Sequence, residues 1–229
     1  MLKLLLAAFG TSFLAGMRHA TDPDHVVAVT TIVARERSMW RAARVGALWG
    51  LGHTLTILVV GSVLVGFKVA VTPRLGLSME FAVAAMLVTL GIVNVAGAHG
   101  VQPSPAGAHA HPSPSLGAAP FTLPPFLVGT VHGLAGSAAA TLFATAIIPD
   151  ARWAMAVLVV FGLAAVAGMA LVTLVLAIPS ALAADRVGAL QRWLRVASGV
   201  VSIAFGLWLA YEVGIGGGLF TDTPGWEPR

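Results

Sequence analysis

Residues 13–25 read FLAGMRHATDPDH, and this stretch decides where the first apolar segment of the chain breaks. The sixteen residues before Met17 carry a single charged side chain, that of Lys3. A proline inside a helix clashes with the carbonyl four residues before it. Since Pro23 would clash with the carbonyl of His19, we expect the helix to kink or unwind between these two residues.

The composition is that of a membrane protein. Of 229 residues, 58% are apolar and 10% are charged, and several apolar runs reach the roughly 20 residues that cross a bilayer. These runs lack the alternation of barrel strands, so the spans are predicted to be helices that satisfy their own backbone hydrogen bonds. We expect an all-α integral membrane protein of about six transmembrane helices. The spans cover approximately residues 3–34, 45–67, 79–98, 121–148, 153–178 and 196–214.

The charged residues indicate orientation in the membrane and argue against nucleic acid as a partner. Basic side chains lie at the ends of the apolar runs rather than in one patch. Two loops on one side of the predicted bundle carry Arg35, Arg37, Arg41, Arg44, Arg186, Arg192 and Arg195. Because positively charged loops prefer the cytoplasm, we expect a multi-pass protein of the cell inner membrane with both termini facing outward.

Two parts of the chain are alike in sequence. FLAGMRHATDPDH at residues 13–25 aligns with FLVGTVHGLAGSA at residues 126–138, and the two share Phe, Leu, Gly and His at the same relative positions. His132 thus takes the place in the second part that His19 has in the first.

The third spans of the two parts align on Gly91 and Gly206. Three helices in each half give the halves opposite orientations, and such an inverted repeat is typical of secondary transporters, whose substrate binds near the midplane. We therefore expect a 3+3 inverted repeat, with one half over residues 1–98 and the other over residues 121–229, joined by a linker at 99–120.

The linker is rich in Pro, Gly, Ala and Ser, and its only ionisable side chains are those of His99, His109 and His111. This composition is typical of a flexible spacer. The alternative is a segment that collects metal weakly through its three histidines.

The break at Pro23 bears on a candidate metal site. On an unbroken helix His19 and His25 would lie about 120° apart, given about 100° per residue. A break lets His19, Asp24 and His25 turn towards one point. The chain has no cysteine, so a metal site must use nitrogen and oxygen, and two imidazoles with a carboxylate suit Ni²⁺, Co²⁺, Zn²⁺ or Fe²⁺.

A structural alternative exists for the same stretch. Arg18 and Asp22 are four residues apart and can form an ion pair at a helix end, while the neighbouring groups cap the two helix pieces. Five ionisable groups in eight residues are too dense for capping alone, because each charge inside a bilayer costs about 2.5–3.5 kcal/mol at its centre. We favour a functional site.

These motifs resemble those of the nickel/cobalt transporter family. RHATDPDH contains H-x-x-x-x-D-H, which together with LGHT at residues 51–54 carries the resemblance. VHGLAGSAA at 131–139 is similar to the short, urease-accessory-type members associated with hydrogenase and urease maturation. The resemblance implies that His19, Asp24 and His25 are metal ligands, with His53 as a further ligand or a supporting group.

Two further histidines have open interpretations. His53 lies inside the second span, where an imidazole without a partner is costly, so it either belongs to the site or bonds a backbone carbonyl in the core. His132 either joins the metal site or belongs to a stretch whose small residues allow close helix packing.

We expect the protein to carry a divalent transition-metal cation, nickel or cobalt, as its substrate and to need no cofactor. The alternatives are efflux through the same site and a zinc-dependent intramembrane hydrolase. The repeat favours transport, and the chain lacks H-E-x-x-H, so no enzyme activity is predicted. The resemblance also implies partner proteins that mature nickel enzymes.

Overall fold

The computed structural model describes residues 2–34, 36, 38–67, 71–99, 124–148, 150–179 and 188–226. In these ranges the regular secondary structure is helical, which agrees with the predicted all-α class. The principal helices are α1 (Leu2–His19), α2 (Pro23–Val33), α3 (Met39–Phe67), α4 (Pro73–His99), α5 (Pro125–Ile147), α6 (Ala151–Leu176) and α7 (Gly188–Tyr211).

Five helices of the described part are long and apolar enough to cross a membrane. They are Met39–Phe67, Pro73–Ala98, Pro125–Ile147, Ala151–Leu176 and Arg192–Gly216. The first of the six predicted spans, residues 3–34, which was expected to be interrupted near Pro23, is divided between α1 and the short apolar helix α2. The coarse prediction of an apolar helical bundle is therefore confirmed, with one span split in two.

The break between α1 and α2 lies where Pro23 predicts it. Helix α1 ends at His19, whose carbonyl accepts a hydrogen bond from the backbone N–H of Asp22 at 3.1 Å. Asp22 has an extended backbone and precedes Pro23, which is the first residue of α2. Proline fits this position because the first backbone N–H of a helix has no partner within the helix.

Helices α3 and α5 run parallel and in close contact. His53 lies against Gly133 and, two turns further along both helices, Gly61 lies against Thr141. A Cβ at Gly133 would lie 2.5 Å from the carbonyl oxygen of His53, so the glycine lets the two backbones approach. Small residues at such contacts allow helices to pack tightly inside a membrane.

Buried hydroxyl and amide groups join the other helix pairs. Helix α1 runs parallel to α6, and the hydroxyl of Ser12 donates to the carbonyl of Val157 at 2.7 Å. Helix α7 runs antiparallel to α4, where the side-chain amide of Asn94 donates to the hydroxyl of Ser198 at 2.9 Å. These polar groups are satisfied across helices, as an apolar environment requires.

The bundle has two ends. One end, called the terminal end, holds the starts of α1, α4 and α6 and the ends of α3, α5 and α7. At this end the rings of Phe9 and Trp153 pack with their centroids 6.3 Å apart. The opposite end is called the arginine end, because Arg41 and Arg44 lie in the first two turns of α3.

The chain after α7 folds back over the terminal end. A π-helical turn, Glu212–Gly216, follows α7, and the indole N–H of Trp226 then donates to Oε1 of Glu80 at 2.9 Å. Glu80 is buried near the start of α4. The tail therefore covers a carboxyl group that lies inside the bundle.

Candidate metal centre

Four histidines, each from a different helix, meet at the break between α1 and α2. His19 ends α1 and His25 lies in the first turn of α2, while α3 contributes His53 and α5 contributes His132. The ring centroids of His19 and His25 are 4.4 Å apart, and those of His25 and His132 are 4.2 Å apart. His25, His53 and His132 are 1%, 0% and 1% exposed, so three of the imidazoles are completely buried.

One group of potential ligands consists of His19, His25 and His53. Each offers one ring nitrogen, and these nitrogens all lie within 4.8 Å of one another. The Nε2 atoms of His19 and His53 are 3.1 Å apart. Two nitrogens bound to one ion at about 2.1 Å, with an angle between tetrahedral and right-angled, are separated by roughly 3.0–3.4 Å. This spacing is that of a hydrogen bond between the two rings, and it also fits two ligands on one metal ion.

A second group of potential ligands consists of Asp24, His25 and His132. Oδ1 of Asp24 lies 3.0 Å from Nδ1 of His25 and also accepts the backbone N–H of that residue. Oδ2 lies 2.8 Å from Nε2 of His132. Both carboxylate oxygens thus contact imidazoles that come from different helices.

These contacts determine which ring nitrogens carry lone pairs. An ionised carboxylate only accepts hydrogen bonds, so the nitrogen that faces it carries the proton. With Nδ1 protonated, His25 presents a lone pair at Nε2. His19 does the same, because its Nδ1 lies 2.7 Å from Oδ2 of Asp22. Ligating histidines in metal sites commonly donate their other N–H to a carboxylate in this way.

Several buried ring nitrogens of the centre have no hydrogen-bond partner in the described part of the chain. They are Nε2 of His25, Nδ1 of His53 and Nδ1 of His132. A buried polar atom without a partner is costly, and most such atoms in folded proteins are satisfied. A metal ion at Nε2 of His25 would supply the partner that this lone pair lacks.

Two cavities adjoin the cluster. The larger, about 340 Å³, lies between the helix break, α4, α5 and α7, and it is lined by Asp24, His25, Glu80 and His132 among others. The second, about 310 Å³, lies between α1, α5 and α6. His19, Asp22 and Gly136 line both cavities, so both adjoin the cluster.

The structure brings together all five residues that the sequence suggests as a metal site: His19, Asp24, His25, His53 and His132. It adds Asp22, which the alternative interpretation paired with Arg18. The expected ion pair between Arg18 and Asp22 is wrong, because the Asp22 carboxylate contacts His19. The three-residue spacing from His19 to Asp22 at a helix end was the signal available for this contact.

Trp49 is a neighbour of the cluster that the motifs did not indicate. Its ring centroid lies 5.2 Å from that of His25 and 5.6 Å from that of His132. It comes four residues before His53 on α3, which places it one turn towards the arginine end. Helical spacing from His53 was the only signal that could have found it.

Comparison with known proteins identifies the family of the chain. A family model described as NicO, high-affinity nickel-transport protein, matches residues 5–101, which include His19, Asp24, His25 and His53. The chain is also 33% identical over 220 residues to the urease accessory protein UreH of Bacillus sp. (strain TB-90), a match that covers 94% of this chain and 96% of the relative. No solved structure matches the chain. The resemblance seen in the motifs is thereby confirmed, and the chain belongs to the nickel/cobalt transporter family, which includes the high-affinity nickel-transport proteins.

Proposed function

We propose that this protein carries Ni²⁺ or Co²⁺ across a membrane and binds the ion at His19, Asp24, His25, His53 and His132. The observation that carries the proposal is the convergence of four imidazoles at a helix break, three of them buried, where Nε2 of His25 has no hydrogen-bond partner in the described part of the chain. The membership in a nickel-transport family supports the choice of metal. Imidazole nitrogen also suits both ions.

The five residues have different roles in this proposal. His19, His25 and His53 supply nitrogen ligands, and the nitrogens of His19 and His53 already have the spacing of one coordination shell. Asp24 accepts from both His25 and His132, which holds two helices in register around the ion and adds a negative charge beside it. This charge offsets part of the cost of placing a divalent cation inside the bundle.

A 3+3 inverted repeat is part of the proposal, and the packing of α4 against α7 supports it. A Cβ at Gly91 would meet the backbone of Gly199, and a Cβ at Gly206 would meet the backbone of Ala84. The offset in residue number is the same, 115, from Gly91 to Gly206 and from Ala84 to Gly199. The two contacts are therefore equivalent under exchange of the halves.

The packing of α3 against α6 supports the same repeat. The hydroxyl of Thr54 donates to the carbonyl of Gly162 at 3.0 Å, and Gly50 lies against Val166. One offset of 112 relates Gly50 to Gly162 and Thr54 to Val166. Opposed movement of two such halves exposes a central site to each side of the membrane in turn.

The halves proposed here are residues 1–98 and 121–229, with 99–120 as a spacer. Most of this linker, including His109 and His111, lies outside the described residues.

We place the protein in the cell inner membrane as a transporter and not as an intramembrane hydrolase. A relative named as a urease accessory protein also supports nickel-enzyme maturation proteins as partners.

Metal flux into proteoliposomes tests this function. Purified protein is reconstituted, and uptake of Ni²⁺, Co²⁺, Zn²⁺ and Mn²⁺ is compared under an imposed gradient. We expect flux of Ni²⁺ and Co²⁺ in wild type and none in His25→Ala. Hydrolysis of a lipid or peptide without any metal flux would support the enzyme alternative. Flux in both directions would show that the same site serves uptake and efflux.

A further inference from the structure

Both cavities beside the metal centre lie on its terminal side. The larger is lined by Glu80, which is seven residues after the start of α4 at the terminal end. The smaller is lined by Ala139 and Phe143, which lie between the centre and the end of α5 at Ile147. The empty space beside the histidines therefore lies towards the terminal end.

On the arginine side the centre is covered by Trp49. This side chain is 1% exposed, and its ring lies beside the rings of both His25 and His132. Gly129 of α5 makes room for it, since a Cβ there would lie 2.9 Å from Cδ1 of the indole. Neither cavity includes Trp49 among its lining residues.

Phe161 occupies the matching position in the second half. The offset of 112 that relates the contacts of α3 and α6 also relates Trp49 to Phe161. The ring of Phe161 lies 5.4 Å from that of His19, and it lines the smaller cavity on the terminal side. Each half therefore places one aromatic ring against the histidines of the centre.

We propose that Trp49 is the gate of the ion path on the arginine side and that Phe161 is its counterpart on the terminal side. This inference rests on the proposed transport function. The structure then corresponds to the state that is open to the terminal end and closed by Trp49. In the opposite state the two halves exchange conformations, so that Phe161 closes the centre and Trp49 moves aside.

Thiol labelling from each side of the membrane tests this proposal. The chain has no cysteine, so the variant Ala139→Cys carries a single thiol, and this thiol lies in the smaller cavity. A membrane-impermeant methanethiosulfonate is added to the outside or the inside of oriented vesicles. A minor conformation is about 0.1–10% populated, so we expect labelling at least about ten-fold slower from the arginine side.

The gate variant is Trp49→Ala in the same Ala139→Cys background. We expect labelling from the arginine side to approach the rate from the terminal side, while Ni²⁺ binding persists because Trp49 is not a ligand. Trp40→Ala is the matched control, since Trp40 is on the same helix and 82% exposed; it should leave the side preference unchanged. If Trp49→Ala does not fold, Trp49→Leu retains more of the buried volume and replaces it.

Two results would overturn the gate. One is equal labelling of Ala139→Cys from both sides with Trp49 intact. The other is an unchanged side preference in a folded Trp49→Ala or Trp49→Leu protein. The labelling requires no metal, so its outcome is independent of the flux assay. Absence of nickel flux in wild type would count against the proposed function, whereas either of these two labelling results would count against the gate alone.

Discussion

The substitution Asp24→Asn removes one of the two acceptor oxygens that hold the histidines of the centre. In wild type, Oδ1 faces Nδ1 of His25 and Oδ2 faces Nε2 of His132, at 3.0 and 2.8 Å. An asparagine of the same shape presents one oxygen and one NH₂ group. One imidazole must then face a donor, so it either flips its tautomer or turns away.

The expected loss follows from the role of such carboxylates. Removing the group that orients a ligating histidine typically weakens metal affinity by about 10–100-fold, which corresponds to about 1.4–2.8 kcal/mol. We therefore expect the dissociation constant of Asp24→Asn for Ni²⁺ to rise by that factor, with binding still detectable. Because the negative charge beside the ion is lost as well, the upper part of this range is favoured.

Calorimetric titration of purified protein with Ni²⁺ measures the effect. The matched control is Asp150→Asn, the same substitution at the N-cap of α6, where the carboxylate accepts from the backbone N–H of Arg152 and Trp153. Asparagine is an equally good cap, so this variant should bind as wild type does. Wild-type affinity in Asp24→Asn would refute the reasoning that this carboxylate supports the centre.

Three further predictions concern the ligands, the packing and the linker. His19→Ala and His25→Ala should each abolish Ni²⁺ binding in titrations of folded protein, and wild-type affinity in both would eliminate this ligand set. Gly133→Ala should destabilise the bundle by about 1–3 kcal/mol in denaturant unfolding, because the added Cβ meets the α3 backbone. Gly136→Ala is its control, since the nearest atom would lie at 3.5 Å; equal stability of the two would contradict the packing argument. Deleting residues 101–118 should leave transport intact at saturating metal, and loss of flux at every concentration in a folded variant would show that the linker is more than a spacer.

The break in the first span was predictable because its cause is local. A proline ring and the carbonyl four residues before it are fixed by chain geometry, so Pro23 alone indicates that α1 stops near His19. The start of the second span was predicted too late. The expected span began at residue 45, whereas α3 begins at Met39 and includes Arg41 and Arg44. A hydropathy window ends where charges begin, whereas a helix can continue past the bilayer.

The residues that meet at the candidate centre could be named from the sequence, but their contacts could not. Ionisable groups in an apolar chain are few, so each one is conspicuous, and the similarity of residues 13–25 to residues 126–138 pairs His132 with His19. The distribution of hydrogen bonds depends on how helices cross, and sequence spacing gives no sign that Asp24 bridges α2 and α5. In the sequence, Trp49 and Phe161 look like ordinary apolar residues. Only the packing shows that both rings lie against histidines of the centre.

X-ray absorption spectroscopy at the nickel edge tests the central claim most directly, that a transported Ni²⁺ is bound by the buried imidazoles. Protein loaded with one equivalent of Ni²⁺ should show nitrogen and oxygen ligands, with the multiple scattering of two or three imidazole rings. His25→Ala, which should not bind Ni²⁺, should lose that ring signal, and Asp150→Asn should leave it unchanged. A coordination shell of oxygen alone in the wild-type protein would contradict the account.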